Sequence, residues 1–325
     1  MMTGTTLTIR TGARLHFGLF SDPRPQGRRH QGFGVMIDSP GFRIRAQAIE
    51  SSELCKVSSA PHIPQDWYRS RIQDLLERCQ QLFPVTGQCL HLDILEGIPP
   101  HTGLGSGTQL DLAVADLWLR LAGQQIPIPE LAHAIGRGKR STIGTYGYEQ
   151  GGLLIDQGIR SDSETGSCRF RAELPAEWRI LLVTPQAATG ISGQYEREAF
   201  SRLSPPSASD LEKLERFLAN LENHPCDFDV LSETLRDYGH CVGDLFASVQ
   251  GGRFCHPACF DIEQLLNEAG LVGIAQSSWG PTMAGLCHSA EQARELQLWL
   301  NSKRDELTIH IVAPRNLGSE WNRSK

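Results

Sequence analysis

The stretch PPHTGLGSGT, from Pro99 to Thr108, runs straight into a long helical segment, QLDLAVADLWLRL. Gly103, Gly105 and Gly107 let the backbone take positive φ and approach a ligand with no Cβ in the way. The helix behind them leaves its first amides unpaired and points the positive end of its dipole at the turn. Residues Gly103, Leu104, Gly105, Ser106, Gly107 and Thr108 therefore read as an anion cradle, with two hydroxyls added to the backbone donors. It is not a P-loop, because no Gly-Lys-Ser/Thr follows at the required spacing, nor is it the G-x-G-x-x-G dinucleotide fingerprint. A tight strand-to-helix turn that holds no ligand is the other reading of these residues alone.

The rest of the chain sets the frame for that turn. Its 325 residues carry a formal net charge of −6, with 40% hydrophobic and 21% charged residues. Such a balance suits a globular enzyme and argues against nucleic acid as a partner. No apolar run reaches the roughly 20 residues that span a bilayer, so no membrane role is expected. Nine cysteines without a repeating framework, and no basic-then-apolar leader, read as a reducing, cytoplasmic setting. Cys255, His256 and Cys259 lie close together, but paired C-x-x-C knuckles are absent and structural zinc is not expected.

The spacing predicts an α+β fold in two parts, residues 1–176 and 177–325. TTLTIR, FRIRAQAI and CLHLDIL alternate as half-buried strands, with Phe42, Ile44, Ala46 and Ala48 on one face of the second. Asp66 to Phe83 has helical spacing and ends before Pro84. The helix after the glycine turn has apolar residues on more than one face, including Leu110, Leu112, Leu117 and Leu119, and is expected to be buried. RILLVTP opens the second part, where Ser209 and Glu212 have capping-box spacing and Val230 to Val249 forms a long helical pattern. Asp261 to Ala269 reads as a short helix, Ser289 with Gln292 caps a last one, and LTIHIV is a last strand.

Pro99 followed by GLGSGT resembles the phosphate loop of the GHMP superfamily of small-molecule kinases, with Gly107 where the kinases have a second serine. ARLHFGLF, GRGKRSTIGTYGYEQGG and QSSWGPTMAG sharpen the match. Together they resemble the β-ribofuranosylaminobenzene 5′-phosphate synthase family, in order and over nearly the whole chain. The resemblance implies the GHMP fold, a ribosomal-protein-S5-like N-terminal domain joined to a ferredoxin-like C-terminal domain, with the active site between them. It implies a substrate pair of phosphoribosyl pyrophosphate and a para-substituted benzoate, 4-aminobenzoate or 4-hydroxybenzoate. The products are a ring-carbon riboside, CO2 and pyrophosphate, an early step of tetrahydromethanopterin-type cofactor synthesis. A homodimer and magnesium are the expected partner and cofactor, with no organic cofactor.

GHMP kinases commonly carry an aspartate that orients or deprotonates the acceptor hydroxyl. Gly144 and Thr145 stand at the matching place here, and neither takes a proton at neutral pH. Phosphoryl transfer rests mainly on positioning, so this lowers the kinase reading without removing it. An ATP-dependent kinase of a sugar or isoprenoid alcohol is the runner-up, and a non-catalytic ligand sensor on the same fold a third reading. The synthase chemistry needs donors and cations for the departing pyrophosphate instead. Arg137, Lys139 and Arg140 form a glycine-flanked basic run suited to that, with an exposed basic surface as the alternative. By the resemblance, Ser277, Ser278, Trp279, Gly280 and Thr282 face the glycine turn, and Trp279 flanks the aromatic acid or simply fills the core. Arg14 and His16 share one strand face. Arg14 is a candidate for the benzoate carboxylate, and His16 for a substrate hydrogen bond or a structural role. Arg28, Arg29 and His30 read as a polar loop before a lid. The metal ligands are unassigned, with Asp111 and Glu149 the carboxylates considered.

Overall fold

In the computed structural model of the protein, the described residues are 5–49, 55–60, 65–85, 89–161, 166–186, 188, 190 and 193–324. The chain opens on strands β1 (Thr6–Arg10), β2 (Ala13–Phe20), β3 (Gln31–Ile37), β4 (Arg43–Ile49) and β5 (Cys55–Ser59). Helix α1 (Gln65–Leu82) and strand β6 (Cys89–Glu96) lead to the glycine turn and α2 (Ser106–Leu121). Short helices α3 (Ile128–Ala134) and α4 (Ile143–Gln150) precede β7 (Leu153–Asp156) and β8 (Cys168–Ala172). Then come β9 (Arg179–Pro185), α5 (Gly193–Arg202), α6 (Ala208–Asn223), α7 (Phe228–Gln250) and α8 (Ala258–Glu268). The chain closes with β10 (Ile274–Gln276), β11 (Met283–Cys287), α9 (Ala290–Lys303), β12 (Leu307–Val312) and β13 (Glu320–Ser324).

These elements form three sheets, in the orders β13-β1-β4-β6-β5, β2-β3-β7-β8 and β10-β11-β9-β12. The pairing is antiparallel apart from β5 with β6. The alternation in FRIRAQAI sorts as its period dictates, with Phe42, Ile44 and Ala46 buried and Arg43 and Arg45 exposed. The last strand leaves the sheet that precedes it and pairs with β1, a link the sequence pattern does not announce. A second tie is α7, which packs on both β2 and β10 and sends the Tyr238 hydroxyl to Gly18 O at 3.1 Å.

Helix α2 is the internal post of the first half. Every residue from Gln109 to Leu119 is buried, as apolar residues on both faces require. Leu110, Leu112, Val114 and Leu117 are completely inaccessible, each such burial contributing about 1.5–3 kcal/mol. A helix held this firmly fixes the turn at its N-terminus. Three helix starts differ from the sequence expectation, α8 beginning at Ala258 rather than Asp261. The α6 cap is Ser207, whose side chain accepts from Asp210 N, so the helix starts before the Ser209–Glu212 pair. Asp227, accepting from Asp229 N and Val230 N, starts α7 at Phe228. Ser289 does cap α9, accepting from Gln292 N.

Candidate anion-binding active site

The glycine turn ends on Gly105, which stands at the head of α2 with φ +77° and offers no side-chain cap. Thr108 N and Gln109 N donate to Gly105 O at 3.2 Å, which leaves the amides of Ser106 and Gly107 as the ones a ligand would meet. Gly103, at φ +84°, is pressed against the 277–280 loop; a Cβ there would sit 2.2 Å from Ser277 O. Ser277 Oγ donates to Gly103 O at 2.9 Å and accepts from His16 N at 3.2 Å. Ser278 N donates to His16 O at 2.7 Å. The turn, strand β2 and the loop between β10 and β11 are thus stitched together, as the resemblance implies.

Arg14 lies directly on this turn. A Cβ on Gly105 would come 2.4 Å from Arg14 Cγ, and Arg14 N donates to Leu104 O at 3.1 Å. Its Nη1 is buried with no hydrogen-bond partner among the described residues. Burial lowers the guanidinium pKa to about 10, with Glu196 opposing the shift and Arg140 adding to it, so the charge persists at neutral pH. Two further buried polar atoms nearby lack partners, Gln109 Oε1 and Thr145 Oγ1. Gln109 Nε2 donates to Gly144 O, and Thr145 Oγ1 faces Gly138. Buried polar atoms left unpaired are costly and mark where a ligand is expected.

Gly144 sets no carboxylate beside Arg14, whose opposing charge comes from Glu196. A Cβ at that position would lie 3.0 Å from Thr108 Cγ2 and 3.8 Å from Arg14 Nε. A carboxylate at this point, where Gly144 and Thr145 stand in place of the kinase aspartate, would pair with Arg14. Here Thr108 packs against the glycine, and no carboxylate stands at this position.

His16 is fastened at both ring nitrogens. Gly18 N donates to Nδ1 at 3.1 Å, which leaves the proton on Nε2, and Nε2 donates to Ser141 Oγ at 2.9 Å. Burial and the Arg14 charge hold its pKa well below 6.5, so the ring is neutral. Its geometry suits positioning better than substrate contact. Ser141 in turn reaches Asp156, whose carboxylate accepts from Thr142 N at 2.5 Å and Gly158 N at 3.0 Å.

The basic run divides. Arg140 turns toward Arg14, pairs with Glu196 at 3.1 Å and stacks 4.8 Å over Phe200. Arg137 turns the other way and grips Asp111, Nε to Oδ2 at 2.6 Å. Lys139 is exposed. Arg71, which the sequence offered only as one more polar residue of α1, binds the same carboxylate through Nε and Nη2 at 2.8 and 3.0 Å. The hydroxyl loop is mostly spent on structure. Thr282 is fully buried and bonded to Thr184 Oγ1 at 2.8 Å, and Trp279 packs against Phe200 and Phe246 with ring centroids 5.5 and 5.0 Å away. Ser278 stays half-exposed, at φ +55°. Arg28 donates to Gly158 O and Arg29 pairs with Ile159, fastening that loop to the end of β7. Cys255 and Cys259 donate to the carbonyls of Gly280 and Pro281.

A resident magnesium site does not fit these side chains. Both Asp111 oxygens are held by arginines, and Glu149 lies beside Gly318, away from the turn. Among the described residues no group of three or more His, Cys, Asp or Glu converges.

With this geometry in hand, comparison with known proteins places the chain. Residues 70–149, which include the turn, match the model of the GHMP kinases N terminal domain. A β-ribofuranosylphenol 5′-phosphate synthase from Methanothermobacter thermautotrophicus is 28% identical over 85% of this chain and 87% of its own. Another from Archaeoglobus fulgidus is 25% identical over 97% and 99%. The chain is thus similar to these synthases over most of its length, and its residues 70–149 carry the GHMP N-terminal domain. Solved structures bear out the fold. Mevalonate diphosphate decarboxylase from Staphylococcus aureus superposes with a TM-score of 0.68 at 12% identity, covering 98% of both chains. Homoserine kinase from Cytophaga hutchinsonii gives 0.64 at 14%, covering 99% and 98%. None of the helices among the described residues is long and apolar enough to cross a membrane.

Proposed function

We propose that the chain joins the ribosyl 5-phosphate of phosphoribosyl pyrophosphate to the ring carbon of a para-substituted benzoate, releasing CO2 and pyrophosphate. The observation that carries this reading is the buried Arg14 on the glycine turn, its Nη1 without a hydrogen-bond partner among the described residues and no carboxylate at Gly144 beside it. A transferase with a polyphosphate leaving group needs fixed positive charge and amide donors there, and no base. The relatives' names specify a phenol product, which favours 4-hydroxybenzoate as the acceptor.

The bond changes follow from that arrangement. The bond from ribose C1 to the pyrophosphate oxygen breaks as the carboxylate-bearing ring carbon attacks C1. The α2 amides, Ser106, Arg14 and Arg140 take up the charge on the departing pyrophosphate. The bond to the carboxylate carbon then breaks as CO2 leaves, and its electron pair restores the aromatic ring. No ring proton has to be removed, which agrees with a His16 whose ring nitrogens are both engaged. The Phe200 ring under Arg140 offers an apolar wall for the acceptor. Magnesium belongs to the donor in this reading, its coordination completed by phosphate oxygens and water. Nine cysteines without a repeating framework fit a reducing cytoplasm, and a homodimer is the expected assembly, open to sedimentation analysis.

The test is CO2 release from carboxyl-labelled 4-hydroxybenzoate and 4-aminobenzoate, with phosphoribosyl pyrophosphate and magnesium. Donor-dependent release from the hydroxy acid is expected. No release from either acid by folded protein would overturn the proposal.

A further inference from the structure

The division of the basic run leaves a second concentration of charge on the opposite side of the first turn of α2. A Cβ on Gly107 would lie 3.0 Å from Arg71 Nη2 and 3.8 Å from Arg137 Nη2. Arg78 Nη1 and Lys139 Nζ both come within 4.0 Å of a Cβ built on Gly136, Arg78 Nη1 also donating to Ile135 O at 2.7 Å. Among the described residues, Asp111 is the carboxylate that pairs with this group, through Arg71 and Arg137. Asp74 and Glu77 on the same face of the chain are exposed, and no ion pair between them and these cations is present among the described residues. Two guanidinium groups locked on one carboxylate present their remaining N–H groups in a fixed geometry, which suits a phosphate. Position 107 carries a serine in the kinase pattern. Glycine here makes room for Arg71 Nη2, which donates to Gly107 O at 3.4 Å as well as to Asp111.

Resting on the reading of the donor given above, we propose that this Gly107 face is a separate subsite for a phosphomonoester. It takes the 5-phosphate of the phosphoribosyl donor, while the Gly105 face with Arg14 and Arg140 takes the pyrophosphate. The order of the two ends follows from the acceptor wall. Arg140 stacks on Phe200, next to Trp279, so C1 and its pyrophosphate belong on that side. The 5-phosphate, on the other side of the ribose ring, then reaches the far face. Two residues span at most about 7 Å, a separation a single ribose ring can bridge.

Calorimetric titration with ribose 5-phosphate and with inorganic pyrophosphate, each alone, tests the division without needing turnover. Lys139→Ala and Arg71→Gln are expected to weaken ribose 5-phosphate by about three- to tenfold or more, with pyrophosphate changed less than about threefold. Arg140→Gln is expected to do the reverse. Lys139 is exposed, so its variant keeps the test valid if loss of Arg71 from Asp111 impairs folding. Equal loss of both ligands, an unchanged ribose 5-phosphate affinity in Lys139→Ala, or no binding of ribose 5-phosphate to the native protein would overturn the subsite. A protein that passes this titration but releases no CO2 would keep the subsite and lose the acceptor chemistry, so the two failures are distinguishable.

Discussion

Arg14 keeps its charge at neutral pH although burial lowers its pKa to about 10, and Gly144 sets no carboxylate beside it. Gly144, with Thr145, stands where the kinases commonly carry an aspartate, which makes it a position to test. Gly144→Asp would set a carboxylate between Thr108 and Arg14, forming an ion pair where pyrophosphate is expected to bind. The donor KM is expected to rise by tenfold or more, about 1.4 kcal/mol or greater, with the protein still folded by circular dichroism. Gly144→Ala meets the same methyl of Thr108 without the charge, and is expected to change the donor KM by less than about threefold. Steady-state kinetics on both variants separates charge from crowding. A Gly144→Asp enzyme with a native donor KM would mean that Arg14 does not meet the donor. Gly103 is a different case: its packing on Ser277 O explains a glycine by contact with the chain, whether or not a ligand is present.

At the scale of elements, the site depends on how α4 and its preceding loop are anchored to β7. Asp156, at the end of that strand, accepts from Thr142 N and Gly158 N and receives Ser141, which in turn receives His16. Burial pushes the Asp156 carboxyl up to about 6, against the hydrogen bonds that favour its charged form. Its folded pKa therefore lies above its unfolded value, and the folded state takes up a proton as pH falls through about 6. The resulting stabilisation grows from there down to the unfolded pKa, and is lost as pH rises through 6. Asp156→Asn lacks this contribution. The stability difference, native minus variant, is expected to be about 1 kcal/mol larger at pH 5 than at pH 7 by urea unfolding. A difference that is the same or smaller at pH 5 would show that Asp156 is ionised throughout this range. Helix α4 also marks where the sequence was hard to read. The apolar stripes of α1, α2 and α7, and the alternation of β1, β4 and β6, gave those elements from period alone. STIGTYG has glycine and β-branched residues and too few turns for a stripe, so its helix comes from tertiary anchoring by Asp156. Arg71 was missed for a related reason: on α1 it is one charged residue among several, and only folding brings it 40 positions along the chain to Asp111.

Across the whole molecule, the candidate site draws on parts that lie far apart in sequence: β2, the turn before α2, the 137–142 loop, and the 277–280 loop of the β10-β11 pair. Their order along the chain was visible as motifs, whereas the hydroxyls of Ser277 and Thr282 could be assigned to structure only after the sheets met. With β13 returning to β1 and α7 bridging β2 and β10, filling the site should stabilise the first and last sheets together. A ligand that binds only the folded state at 100 times its Kd adds about 2.7 kcal/mol. For a chain of this length that corresponds to roughly 4 °C in Tm. Phosphoribosyl pyrophosphate with magnesium is expected to give a shift of that size in a single transition, and ATP with magnesium less than about 1 °C. The comparison is informative because both ligands offer a polyphosphate to the same turn. What differs is the ribose 5-phosphate end, which the Gly107 face accommodates in this reading and the adenosine of ATP does not match. A larger shift with ATP would reassign the basic residues to a nucleotide and restore the kinase reading.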